Sequence, residues 1–275
     1  MAPPAQPSTT TVTATDPLPT SPGPPIVEIT AVILTYNEAA HVQACIASLA
    51  WADRVVVFDS FSQDDTLALA QAAGAETAQS SFENYAQQRN AALAHVQTDW
   101  VFFVDADERG APELAAEIPR VVAHRPEMGW YVPRHNYLFG KLTLGAGWFP
   151  DYQLRLFRHG RVHYERPVHE LAVVDGAIGY LENPLIHYNY RDLAHFRAKQ
   201  RAYTDYDASI LQQQGVRPKP QNFVLQPWRH FWWRFVTLKG YRDGLHGLRL
   251  SLYMGYYEWV KYRKLAALWA DRVNG

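Results

Sequence analysis

Between residues 26 and 110 the chain alternates two kinds of hydrophobic pattern. "IVEITAVILTYNE" (26–38) is a β-branched run of strand length that ends in polar residues, and "AAHVQACIASLAW" (39–51) carries apolar residues at helical spacing. "RVVVFDSFSQDDT" repeats the change: a strand ending in Asp59, then a Ser/Asp turn suited to cap a helix over "TLALAQAAGA". "NYAQQRNAALAHV" predicts a third helix, leading into the strand of "WVFFVDADE" (100–108). Strands that are apolar throughout and alternate with helices predict βαβ units in a mostly parallel sheet covered on both faces, an α/β fold. In such sheets ligands collect beyond the carboxyl ends of the strands.

Residues 129 to 150 carry no comparable pattern and are expected to form loops. "NPLIHYNYRDLAHFRAKQRAYTDYDASILQQQG" predicts a strand and then a polar helix, with a break from Gly215 to Pro220. From Gln226 onward the chain is dense in Trp, Tyr and Leu, with Arg229, Arg234, Lys239, Arg242, Arg249, Lys261, Arg263 and Lys264 interleaved. The expected organisation is a Pro/Thr/Ser-rich disordered tail (1–25), one α/β domain (26–225) and an amphipathic helical extension (226–275).

Composition narrows the function only a little. At 275 residues, 48% apolar and 19% charged, the chain is long enough to bury a sizeable core, and its net charge of −1 singles out no partner. The one cysteine, Cys45, excludes an internal disulfide and is expected to be a buried helix residue. The tail has neither the basic start nor the apolar middle of a secretory signal, and no 18 uncharged apolar residues run together. Nucleic-acid binding is not expected, because the basic residues alternate with large apolar ones in a chain of neutral balance.

The chemistry gathers at strand ends. Thr35, Asn37, Glu38, Asp59, Asp105 and Asp107 all follow predicted strands, so parallel pairing would align them along one edge. Singly, each has the ordinary reading of a cap or turn residue. Asp105 and Asp107 together differ: two carboxylates two residues apart, beside Glu108, repel unless a cation lies between them. Oxygen donors in small number suit Mg2+ or Mn2+ completed by substrate phosphates. Neither a Walker sequence nor a GxGxxG in the required place accounts for the phosphate.

"AVILTYNEAAHVQACIASL", "VVVFDSFSQDDT", "QQRNAAL" and "FFVDADE" stand in the order and approximate spacing of the nucleotide-binding half of family 2 glycosyltransferases, which the chain resembles. "FPDYQLRLFR", "VHE" and the closing "LKGYRDGLHGLRLSLYMGYYEWVKYRKL" look like the branch containing the lipopolysaccharide core β-1,4-glucosyltransferases. The resemblance implies a GT-A fold, with residues 26–110 as the nucleotide-binding half and 111–225 as the acceptor half. It implies a nucleotide site of Thr35, Tyr36, Asn37, Glu38, Asp59, Arg89, Asn90 and Asp105. It also implies a metal held by Asp107, with Asp105 nearer the ribose or reached through water, and a histidine from the His169 or His187 region completing the shell.

The activity implied is inverting transfer of a sugar, glucose-like, from a nucleoside diphosphate, UDP above all, to a glycan or glycolipid acceptor of the cell envelope. Mn2+ or Mg2+ would be the cofactor. Inversion by single displacement needs a general base opposite the leaving group. Asp151 ranks first and Glu170 is its rival, while a partner role toward Arg155, Arg158 or Arg166 is the plainer reading of either. The extension has two readings: an anionic-membrane-binding surface, placing the protein on the inner face of the cytoplasmic membrane, or a helical hairpin packed on the domain or on a second subunit. The alternatives in other classes are a non-catalytic sugar-nucleotide-binding module and a nucleotidyltransferase.

Overall fold

The structure, a computed structural model, describes residues 27–166 and 170–274; the tail and His169 lie outside the described residues. The amino-terminal part runs β1 (Ile29–Thr35), α1 (Val42–Ser48), β2 (Arg54–Asp59), α2 (Thr66–Ala72), β3 (Glu76–Gln79), α3 (Tyr85–His95) and β4 (Trp100–Asp105). Then follow β5 (Glu108–Gly110), α4 (Pro112–His124), β6 (Gly129–Leu138), β7 (Lys141–Leu142), β8 (Tyr152–Arg158), β9 (Val162–Glu165), β10 (Leu171–Val174), β11 (Ile178–Tyr180) and β12 (Leu185–Tyr190). Helices close the chain: α5 (Leu193–Gln213), α6 (Asn222–Trp232) and α7 (Gly244–Asn274), with a π turn at Trp233–Thr237 and a 3-10 turn at Gly240–Asp243 between the last two.

The main sheet has the order β3-β2-β1-β4-β8-β6-β12-β5, and its first four strands are parallel. Their continuous apolar character follows from cover on both faces. Ile29, Ala31, Ile33, Phe102 and Val104 pack with α1 and α4, whereas Val32, Val101 and Phe103 pack with α3 on the other side. Cys45 is fully buried in the first of these layers. Thr35 pairs with Asp59 and Leu34 with Asp105, so the strand ends are level and their polar residues share one edge.

One local expectation changes. Residues 129–138, expected as loop, form the central strand β6, with β8 antiparallel on one side and β12 parallel on the other. Its Pro133, Arg134, His135 and Asn136 hid the apolar alternation, because this strand carries polar groups into the site. The Ser/Asp turn before α2 does serve its start, through Asp64, whose Oδ1 accepts from the Thr66 N–H at 3.1 Å.

The far half of the sheet brings the remaining site residues together. β5 turns back beside β12 and pairs Glu108 with His187, and β12 pairs His187 with Asn136 of β6. These three residues therefore stand in one row across neighbouring strands.

Candidate active site

Asp105 and Asp107 end up with different partners. Arg155 grips Asp105 with two N–H groups, one at 3.0 Å from Oδ1 and a shorter one on Oδ2, while Arg89 Nη2 lies 3.6 Å away. Burial would raise the Asp105 carboxyl, but Arg155 and then Arg89 outweigh it and hold the group ionised, well below the usual range. Glu108 is fully buried beneath this pair. Its carboxylate accepts from the Asp105 N–H at 2.9 Å, from Arg134 at 3.2 Å and from Arg155 at 3.3 Å, which fixes the turn on which both aspartates sit.

Asp107 faces His187 instead, with Oδ2 3.4 Å from Nε2. Burial pushes its carboxyl up, and the contact with His187 more than reverses that. His187 Nδ1 lies 2.8 Å from Asn136 Oδ1. Asn136 Nδ2 in turn donates to the Asp151 carboxylate at 2.9 Å and to the Trp148 carbonyl at 3.0 Å. Two acceptors around Nδ2 assign the amide, so Oδ1 faces the ring and Nδ1 carries the proton. With Nδ1 turned to Asn136, Nε2 faces a carboxylate, an arrangement that calls for a cation or a proton between the two.

Asp151 is more fully occupied than its rival. Its oxygens accept from Arg134 Nε at 2.9 Å, Asn136 at 2.9 Å and Gln153 at 2.8 Å. Burial raises it, and Arg134 and these donors bring it below the ordinary carboxylate range. Glu170 has one ion pair among the described residues, with Arg89 Nε at 3.5 Å.

Two cavities meet at Arg89, Asp105 and Glu170. The larger, about 910 Å3, is walled by Thr35, Tyr36, Glu38, Phe61, Phe82 and Tyr85 among others. The smaller, about 360 Å3, is walled by Tyr131, Arg134, Tyr152, Gln153 and Arg155 with Tyr164. Arg89 sits between the Phe103 and Tyr164 rings, 5.2 and 5.5 Å from their centroids. Its Nη1, like Arg155 Nε, is buried without a hydrogen-bond partner among the described residues, so each guanidinium has a donor left to satisfy.

Three expected nucleotide residues lie outside these walls. Asp59 is fully buried and accepts from Thr35 at 2.9 Å, the Ser62 N–H at 2.8 Å and Gln79 at 3.1 Å. Asn90 ties α3 to β9 through the Tyr164 backbone, at 2.8 Å in both directions. Asn37 adopts a left-handed φ of 57° and accepts from the Gln63 N–H at 2.8 Å. Sequence reasoning passed over Arg134, Asn136 and the aromatic wall of Phe61, Phe82 and Tyr85. The wall had a signal, large aromatics flanking an otherwise polar "SSFENYAQQRN", whereas Asn136 had none because its strand was read as loop.

Charge gives the fit for a metal. Asp107, His187, Asn136, Asp151, Arg134, Glu108, Arg155, Asp105, Arg89 and Glu170 form one connected chain of contacts. It holds five carboxylates against three guanidiniums; even with the charge of Lys199 acting on Asp107, negative groups outnumber positive ones, a balance that a divalent cation would improve. Among the described residues no group of three or more His, Cys, Asp or Glu is placed to hold a metal ion, so Asp107 and His187 would be the protein's share, with the rest of the shell from ligand and water.

Residues 30–141 match the family described as Glycosyl transferase family 2. The chain is also 30% identical to the lipopolysaccharide core biosynthesis glycosyltransferase LpsC of Rhizobium meliloti (strain 1021), over 81% of this chain and 86% of that protein. The chain belongs to glycosyl transferase family 2. It is accordingly a glycosyltransferase. An uncharacterized glycosyltransferase of Rickettsia bellii (strain RML369-C) is 24% identical over 88% of this chain and 87% of its own. Among solved structures, the glucosyl-3-phosphoglycerate synthase of Mycobacterium tuberculosis in complex with Mn2+, UDP and glucosyl-3-phosphoglycerate is similar at 19% identity and a TM-score of 0.45, covering 71% of this chain and 82% of that one. That likeness is too distant to assign any residue of the family 2 site described above.

Proposed function

We propose that this transferase moves a glucose-like sugar from a nucleoside-diphosphate donor, uridine-linked, to a hydroxyl of a glycan or glycolipid acceptor in cell-envelope polysaccharide synthesis, with inversion and with Mn2+ or Mg2+ bound. The observation that carries it is the surplus of carboxylates over guanidiniums along the connected contacts that run from Asp107 past the shared wall of the two cavities to Glu170. An anionic diphosphate entering such a site meets repulsion of about 4 kcal/mol per unit-charge pair at 4 Å and an effective dielectric near 20, which a dication reverses. Bound at Asp107 and His187, the metal would offset charge growing on the departing diphosphate.

The chain's own groups supply the rest. The larger cavity takes the nucleoside, its base against Phe61, Phe82 or Tyr85, with Thr35, Tyr36 and Glu38 lining it and Asn37, Asp59 and Asn90 shaping its walls. Arg89 directs its spare donor to the diphosphate, and Asp105 stands at the junction of the cavities, nearer the ribose. The smaller cavity takes the acceptor. Of the two candidate bases, Glu170 lies on the wall shared by both cavities and has fewer donors on it among the described residues, so it is the group better placed to accept the acceptor's proton; Asp151 orients Arg134 and Asn136.

The membrane reading of the extension rests on one helix face. Val224, Leu225, Trp228 and Trp232 of α6 are exposed at helical spacing with Arg229 among them, and Lys239, Tyr241, Arg242 and Leu245 continue the surface. Arg234 does not belong to it: its side chain turns inward over Trp148, and burial lowers it to about 10. No helix among the described residues is long and apolar enough to cross a membrane.

Screening sugar nucleotides for metal-dependent release of the nucleoside diphosphate, with and without envelope glycolipid, tests the reading. Turnover of a uridine donor with Mn2+ is expected. Metal-independent turnover of every donor would overturn it.

A further inference from the structure

Outside both cavities, the loop joining β7 to β8 is fastened to the helical extension. Asp243 accepts from the Leu144 N–H at 3.1 Å and the Gly145 N–H at 2.7 Å, one on each carboxylate oxygen. The Ala146 N–H donates to the Leu238 carbonyl at 2.8 Å, and the Ala146 carbonyl accepts from Arg234 Nη1 at 2.7 Å. The Thr143 hydroxyl lies 3.0 Å from His246 Nε2. A Cβ on Gly145 would stand 2.4 Å from the Lys239 carbonyl oxygen, so the approach requires glycine. On either side of the seam, Ala146 and Lys239 take left-handed φ values of 53° and 55°, conformations that persist only where surrounding contacts enforce them.

The fastened loop leads straight into the site. Trp148 supplies the carbonyl that assigns the Asn136 amide, and Asn136 holds both the ring of His187 and the carboxylate of Asp151. Moving the loop would withdraw that carbonyl and leave the amide held only by Asp151 at 2.9 Å and Asn189 at 3.4 Å, loosening its hold on His187 and Asp151.

We infer that the C-terminal extension is a working part of the active site: Asp243 is a positioning residue that, through loop 143–148 and Asn136, sets the orientation of His187 and Asp151. The inference rests on the transferase reading above. It also gives the extension a route by which whatever it binds acts on transfer.

Asp243→Ala and Gly145→Ala loosen the seam from opposite sides, without touching either cavity. For both, kcat for the sugar nucleotide that the wild type turns over should fall at least tenfold, with KM for it within threefold. Mn2+ affinity, read by electron paramagnetic resonance, should weaken at least threefold. Amide hydrogen exchange should rise at residues 143–148 while α7 keeps its protection, and Asp243→Asn, which retains one acceptor oxygen, should fall between wild type and Asp243→Ala. If Asp243→Ala does not fold, Asp243→Asn and Gly145→Ala carry the comparison. Faster exchange at 143–148 with kcat and Mn2+ affinity within twofold of wild type would overturn the inference, as would unchanged exchange. A wild type that turns over no sugar nucleotide would sink the transferase reading, and Mn2+ affinity and exchange would still judge the seam.

Discussion

A carboxylate at position 107 and one at position 105 do different work because their neighbours differ in what they leave free. Arg155 and Arg89 neutralise Asp105, whereas Asp107 has no guanidinium against it among the described residues and faces the His187 ring at 3.4 Å. The same reasoning separates the candidate bases. Glu170→Gln should cut kcat by on the order of 10²–10⁴ with little change in donor KM, as loss of general-base catalysis does. Asp151→Asn should cost less and should weaken Mn2+ binding as well, since it disturbs Asn136; steady-state kinetics on both variants decide, and the reverse ranking would make Asp151 the base. Glu38 adds a pH test. Burial, then the charge of Asp107, raise its carboxyl from 4.5 to about 6. A group raised in the folded state contributes stability below its unfolded value and loses it as pH climbs through the folded one. Thermal melts without metal should therefore show a decline in stability between pH 4.5 and about 6 that Glu38→Gln flattens; an unaltered slope would refute the assignment.

At the scale of elements, Arg155 on β8 ties β4 to β5 through Asp105 and Glu108. Arg155→Met would leave the fully buried Glu108 and the partly exposed Asp105 short of a partner and should destabilise by about 3 kcal/mol, the low end for breaking a buried pair, read as a lower urea midpoint; a midpoint within error of wild type would mean that Arg134 alone suffices. The parallel half of the sheet was legible in the sequence because β1, β2 and β4 are covered on both faces and so are apolar throughout. β6 was not legible. Its Arg134 and Asn136 point chemistry rather than hydrophobicity at their surroundings, and its Pro133 breaks the strand signal, so the strand carrying most of the second layer of the site read as loop. The acidic pair was visible from spacing alone, but the histidine that faces it was one candidate among two, because only the β5–β12–β6 register puts His187 beside both Asp107 and Asn136.

For the whole molecule, the strand edge and the far half of the sheet wall the two cavities, and the helical extension meets them only through the loop after β7. The exposed face of α6 predicts that the protein floats with vesicles containing anionic lipid, that salt weakens this, and that charge reversal at Arg229, Lys239 and Arg242 abolishes it. Absence from the lipid fraction at low salt would leave that face for a second subunit. The proposed divalent cation, bound together with the nucleoside diphosphate, offsets the surplus negative charge of the site. Isothermal titration of UDP, with and without Mn2+, into the wild type and Asp107→Ala puts this to the test. Mn2+ should strengthen binding at least tenfold in the wild type and leave it unchanged in the variant; equal affinity with and without Mn2+ in the wild type would rule the cation out.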